Sequence, residues 1–401
     1  MSFLKDLTLE EKIGQMLCLG WQNSSPAAPG VDGGNDAFLT LNEQAQRCVE
    51  ELHAGGMVLF ARNVQAAGVP KPPVDVPKVR EMTAALQSLS RIPLFVAVDQ
   101  EGGRVARFGM PFTPFPSARV IGATGDIAMA ERASYYIGHE LRAVGVNFNF
   151  APVADIDSNP TNPVIGDRSF GCDAHAVATM VTSQLNGFGE SGVLSCAKHF
   201  PGHGDTDLDS HLALPTLKHS RVTMDARELV PFRAAISHAA PAIMTAHILF
   251  SALDPSGVPA TLSKPILTDL LRGELGFRGL IVTDCLQMKA VADKWGTARA
   301  AVMAAQAGAD ILLVCHTWET QKETFDALVA AARSGELSGE RIDASLERIA
   351  AAKERLSVAP MPPLSVVGAQ EHMDLARTLC AAGGVPFTGN ATVTTLGERA
   401  F

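Results

Sequence analysis

Asp284 stands directly after the apolar run LIVT in GLIVTDCLQM, a position where a carboxylate is costly to bury without a partner or a task. It is expected to face a pocket, with capping of the next helix as the alternative. A denser cluster lies in KHFPGHGDTDLDSHLALP, residues 198–215, which packs His199, His203, His211, Asp205, Asp207 and Asp209 into one short span. Histidine and aspartate are good zinc or calcium ligands. DTDLDS opens like a calcium loop, but Ser210 stands where glycine is needed and Thr216 where glutamate is needed, so that reading fails. Zinc stays open as an alternative, although no HExxH helix is present and Pro201, Gly202 and Gly204 prevent a regular helix. The other reading is acid and base chemistry. Asp209 and His211 are two positions apart, close enough for the carboxylate to bond the imidazole, fix its tautomer and stabilise its charged form. That makes His211 a credible proton donor.

Groups of this kind need a rigid frame. Short apolar runs recur at intervals of a few tens of residues, each followed by a polar or glycine-rich loop and a helix-like stretch, which is the βαβα pattern. The expected strands are 15–19 (QMLCL), 56–60 (GMVLF), 93–98 (PLFVAV), 146–150 (VNFNF), 193–197 (VLSCA), 242–246 (AIMTA), 280–283 (LIVT) and 311–314 (ILLV). Most are continuously apolar, as parallel strands covered on both faces must be. Eight such strands predict an α/β fold of the TIM-type (β/α)8 barrel. A doubly wound open sheet is the rival, disfavoured because no GxGxxG turn follows the first strand. In a barrel the chemistry collects where strands end. Asp99 follows the third strand, APVADID the fourth, Lys198 and His199 the fifth, His247 the sixth and Asp284 the seventh, so polar groups converge on one rim.

At 401 residues, 47% hydrophobic and 19% charged, the chain has the apolar material for one large core. Its net charge of -9 carries no basic run, which excludes the cationic footprint of nucleic-acid binding. The N-terminal MSFLKDLTLEEKIGQM lacks the apolar stretch of a signal peptide and no segment reads as a bilayer span, so a cytoplasmic protein without membrane insertion is expected. Seven cysteines form an odd set without CxxC spacing, and Cys18, Cys196, Cys285 and Cys315 read as reduced core residues. Residues 22–35 and 65–77 read as loop insertions. A proline-rich stretch, VAPMPPL, opens a terminal segment too short for an independent core.

Taken in order, VDQEGGRVARF (98–108), NFAPVADID (149–157), GDRSFG (166–171), KHFPGHGDTDLDSHLALP (198–215), MTAHI (244–248) and VTDCLQM (282–288) resemble the glycoside hydrolase family 3 β-N-acetylglucosaminidases of bacterial cell-wall recycling. The resemblance implies a barrel over residues 1–356, with a catalytic loop at 198–215, and a C-terminal extension over 357–401. VVGAQEHMDLARTLCAAGG in that extension looks like the opening of the second domain of longer members, cut off before a domain forms.

The resemblance also implies the roles. Asp284 matches the nucleophile of the TD motif, and His211 the histidine that donates and later removes a proton, with Asp209 orienting it. Sugar-binding positions fall on Asp99, Arg107, Arg168, Lys198 and His199. The implied reaction is retaining exo-hydrolysis of terminal β-linked N-acetylglucosamine through a covalent intermediate, without metal or cofactor, on a carbohydrate such as an anhydro-muropeptide. Most retaining enzymes use two carboxylates; an imidazole with an ordinary pKa of about 6.5 suits donation followed by removal of a proton near neutrality. Gly202 and Gly204 are expected to let the loop swing over bound sugar. His203 and His247 are read as buried supports. Arg107 and Arg168 have a structural alternative, an ion-pair network that stiffens the rim. Cys285 departs from the second aspartate common in the cell-wall enzymes. A β-glucosidase or xylosidase, a phosphorylase, a metal-dependent barrel amidohydrolase and a silent sugar-binding protein remain as rivals, and oligomeric state is left open.

Overall fold

The computed structural model describes residues 6–22, 41–65, 73–208, 210, 214–356 and 360–388. Most of the expected insertions at 22–35 and 65–77, the start of the proline-rich stretch, and both Asp209 and His211 lie outside the described residues.

Eight short parallel strands form the centre: β1 (Leu17–Leu19), β2 (Gly56–Leu59), β3 (Phe95–Val98), β4 (Phe148–Asn149), β5 (Leu194–Phe200), β6 (Ala242–Thr245), β7 (Leu280–Val282) and β8 (Leu312–Val314). From β1 to β7 each pairs with the next in chain order, and β8 pairs with β1, Leu17 opposite Leu312. The ring is joined between β7 and β8 by a parallel bridge from Val282 to Ile311, where the Thr283 amide donates to the Ile311 carbonyl at 2.9 Å. A sheet joined at both edges has no outer strand to protect. Every residue of β1, β2, β3 and β6 is buried, because one face packs into the barrel interior and the other against helices.

The helices follow the strands: α1 (Leu9–Gln15), α2 (Glu43–Glu50), α3 (Val76–Leu89), α4 (Ile127–Ala143), α5 (Ala174–Ser191), α6 (Leu229–Ser237), α7 (Thr297–Ala307), α8 (Trp318–Ser334), α9 (Gly339–Leu356) and α10 (Gln370–Ala382), with a π-helical segment, Pro265–Glu274, between β6 and β7. Local chemistry sets their ends. The Asp173 side chain caps α5 by accepting from the Ala176 amide, and Gly192 closes it at a φ of 76°, which costs glycine little.

The expected strands all appear, and their edges shift for physical reasons. Gln15 ends α1 instead of opening β1, with its amide bonded to the His53 carbonyl at 3.0 Å and its oxygen to Lys353 Nζ at 2.7 Å. β5 runs on through Lys198, His199 and Phe200, because partners across the barrel mouth satisfy those polar side chains. At the opposite end, the fully buried Asp310 gathers Arg272, Arg341 and Arg348 and bonds the Ser345 hydroxyl at 2.8 Å. Beyond α9, α10 lies on α4: the His372 ring stacks on Tyr136 at 4.0 Å and bonds the buried Glu140 at 2.7 Å.

Candidate active site

A cavity of about 140 Å³ opens at the C-terminal ends of the strands. Asp99, Arg107, Arg168, Lys198, His199 and Asp284 all line it, so six of the eight residues singled out from the sequence meet in one space. Strand geometry explains the convergence. Asp99 leaves β3, Lys198 and His199 belong to the end of β5, and Asp284 lies two residues past β7, all at the C-terminal ends of their strands.

Charge in the cavity is tightly organised. Lys198, only 2% exposed, places Nζ 2.7 Å from Asp99 Oδ1 and 2.6 Å from Glu101 Oε1. Arg168 grips Glu101 with two nitrogens, Nε at 2.9 Å and a terminal nitrogen at 2.8 Å, the fork geometry that suits a carboxylate. Arg107 approaches the other oxygen of Asp99 at 3.5 Å. Burial pushes the Asp99 carboxyl up, but Lys198 and Arg107 outweigh it and hold the group below its usual range. Burial likewise opposes the Lys198 charge, and Asp99 and Glu101 restore it, so the amine stays above its ordinary value. Both groups are therefore ionised at neutral pH.

Asp155, fully buried, ties the loop to the barrel. It accepts from the His203 amide at 2.7 Å and bonds His199 Nδ1 at 2.7 Å. His203 then holds Ser210 Oγ at 3.0 Å through Nε2 and Thr206 Oγ1 at 3.0 Å through Nδ1. Burial and the neighbouring His199 push the His203 imidazole down to about 4, so it is a neutral support. Asn162 adds a second tie, its amide donating to the carbonyls of His203 and Gly204. His247 is bonded on both nitrogens, to Thr261 and to the Cys285 carbonyl. Gly204 lies so close to Ile156 that a Cβ would stand 1.6 Å from its carbonyl oxygen, and Gly202 has a φ of 136°. The glycines thus also permit close packing, besides any freedom to swing.

Asp284 is half-buried and accepts the Cys285 amide on Oδ1 at 2.7 Å. Ser210, which separates Asp209 from His211 in sequence, lines the same cavity. Apolar walls come from Val58, Phe60, Phe150, Met244, Met288 and Leu313. Three residues with ligand-type atoms within 4.8 Å of one another, Asp205, His219 and Glu228, form a potential metal cluster among the described residues. The Arg227 guanidinium already bonds all three.

Glu101 and Asp155 escaped the sequence reading although both stand inside its motifs. Their signal was spacing: Glu101 is two residues after Asp99, and a β-like alternation there returns its side chain to the cavity.

Residues 8–352 match the family described as Glycosyl hydrolase family 3 N terminal domain. The chain belongs to glycosyl hydrolase family 3. A family 3 β-N-acetylglucosaminidase from Paenibacillus sp. str. FPU-7 has a similar solved structure, with a TM-score of 0.86 at 41% identity over 94% of this chain and 69% of that one. The β-N-acetylhexosaminidase of Beutenbergia cavernae superposes with a TM-score of 0.76 at 31% identity over 87% of this chain and 99% of that one. Beta-hexosaminidase A of Pseudoalteromonas piscicida is 37% identical over 96% of this chain and 70% of its own length. The similarity to family 3 members thus covers the barrel and its rim together. Among the described residues, no helix is long and apolar enough to cross a membrane.

Proposed function

We propose that this protein is an exo-acting β-N-acetylglucosaminidase that works with retention, with Asp284 as nucleophile and His211, oriented by Asp209, as proton donor and acceptor. The observation that carries the reading is the meeting of Asp284 with Arg107 and the ionised pair Asp99 and Lys198 in one cavity that Ser210 of the DSH motif also lines. Relatives named as hexosaminidases share the sequence at 37 to 40% identity, which supports the sugar class.

In the proposed first step the Asp284 carboxylate forms a bond to C1 while the bond from C1 to the glycosidic oxygen breaks, and that oxygen takes the proton of the His211 imidazolium. Water then attacks C1, the bond to Asp284 breaks, and the imidazole accepts the water proton. Asp99 accepts hydrogen bonds from sugar hydroxyls, and Arg107, Arg168, Lys198 and His199 donate to them or keep the carboxylates in place. The apolar wall receives the sugar face and acetamido methyl group. For the natural substrate we propose peptidoglycan-derived muropeptides met in the cytoplasm, in keeping with seven free cysteines.

Hydrolysis of aryl β-N-acetylglucosaminide compared with aryl β-glucoside, with and without phosphate, tests the activity. The expected outcome is a preference for the acetamido sugar and no dependence on phosphate; faster turnover with phosphate would favour a phosphorylase. Asp284→Asn should lower kcat by about 10³-fold or more, roughly 4 kcal/mol of barrier, and retained activity would remove the nucleophile.

A further inference from the structure

Asp284 shares its cavity with two thiols. Cys285 follows it at the end of β7, and Cys315 follows Val314 at the end of β8. The strands are joined by the bridge between Val282 and Ile311, and the Leu286 amide donates to the Leu313 carbonyl at 2.9 Å, which sets the two cysteines side by side. His316 comes next in the chain, with its amide held by Gln287 Oε1 at 2.8 Å and its ring 5.6 Å from Phe60. Both thiols are buried from bulk solvent and reach it through the sugar cavity.

We infer that this pair is a site of covalent modification by small soft electrophiles, with Cys285, 6% exposed against 1% for Cys315, as the reacting thiol, and that modification closes the cavity to sugar. The inference goes beyond the glycosidase reading and depends on it only for the ligand that shields the thiol.

Several groups surround the Cys285 sulfur. Burial pushes its thiol up, yet the Cys315 thiol and the His316 imidazole outweigh burial and bring it well below the ordinary cysteine range. Cys315 moves the opposite way, because the neighbouring Cys285 and burial both favour its protonated form. The Asp284 carboxylate next door opposes a second negative charge, and His247 bonds the Cys285 carbonyl at 2.9 Å. Elsewhere burial acts with little opposition: Cys18 and Cys48 are pushed up to about 12. Cys172 alone is exposed, and it lies outside the cavity.

With an alkyl halide the balance is simple. The Cys285 proton passes to His316 or water, sulfur bonds the methylene carbon, and the carbon–iodine bond breaks to release iodide.

The test treats the full chain with iodoacetamide, follows each cysteine by peptide mass mapping and measures residual activity. Cys285 should be carbamidomethylated as activity disappears. N-acetylglucosamine at about ten times its Kd should slow that labelling about tenfold by occupancy and leave Cys172 labelling unchanged. Cys172→Ser should stay sensitive, and Cys285→Ser, compared with its own untreated sample, should lose no activity to the reagent. The proposal is overturned if Cys285 is unmodified once Cys172 has reacted fully, if Cys315 alone is labelled, or if bound N-acetylglucosamine fails to protect. Calorimetry on the same sample separates the two ideas. Absence of sugar binding would count against the glycosidase reading, and the thiol site would then stand or fall on labelling of Cys285 in the folded chain.

Discussion

Lys198 holds a full charge with 2% of its side chain exposed, and it does so because two carboxylates accept from it at 2.7 and 2.6 Å. Removing one member of such a cluster is worse than never having built it, since the remaining charges keep their desolvation cost. Lys198→Met is therefore expected to lower stability by about 3 kcal/mol and kcat/KM by about 10²-fold, as measured by chemical denaturation and aryl-glycoside kinetics. Lys198→Arg should not rescue it, because a planar fork does not fit a space shaped for one ammonium. Unchanged stability in both variants would mean that the charge is not buried as described. At this scale the sequence was partly legible. Asp99, Lys198 and Asp284 stood out because charged residues closed apolar runs, whereas Glu101 was hidden by its place in a glycine-rich stretch that no strand pattern announced.

Loop 201–208 is held from the side by the π-helical turn Met224–Glu228 that leads into α6. Arg227 bonds Asp205 at 2.7 Å and Glu228 at 2.6 Å, and Glu228, only 1% exposed, lies against Gly202. Burial pushes the Glu228 carboxyl up to about 7, despite Arg227. The unfolded chain releases this proton near the ordinary 4.5, so between that pH and about 7 the folded state binds more protons. The Glu228 contribution to stability therefore falls as pH rises through this window, by roughly 3 kcal/mol in all. His203 acts in the opposite sense: its folded value of about 4 means stability is lost as pH falls below about 6.5. Glu228→Gln should thus gain stability relative to wild type at pH 8 and little at pH 4.5, read from denaturation midpoints. A parallel pH profile in both proteins would contradict it. The loop's chemistry was readable from its crowded His and Asp residues, but its anchors were not, because Asp155, Asn162 and Arg227 lie far away in sequence and meet it only after the barrel closes.

Across the whole molecule, the two ends of the barrel divide the work. The C-terminal rim carries the cavity, and the opposite end carries Asp310 with its three arginines. Asp310→Ala is expected to cost about 3 to 5 kcal/mol while leaving KM for an aryl N-acetylglucosaminide unchanged at temperatures where the variant is folded. A changed KM with unchanged stability would reverse that division. The barrel itself was legible in eight apolar runs, since both faces of each strand must be covered. Its strand edges were not, because Gln15 and the end of β5 depend on partners that only the closed ring supplies.

The proposed covalent bond from C1 to Asp284 is open to one direct measurement. In His211→Ala an aryl N-acetylglucosaminide with a good leaving group needs no acid to react, but water lacks its base, so the sugar–enzyme species should accumulate. Mass spectrometry of the quenched, digested protein is expected to find one N-acetylglucosaminyl residue on the peptide containing Asp284. A sugar on a different residue, or no adduct together with an inverted product anomer by NMR, would rule out Asp284 as the nucleophile.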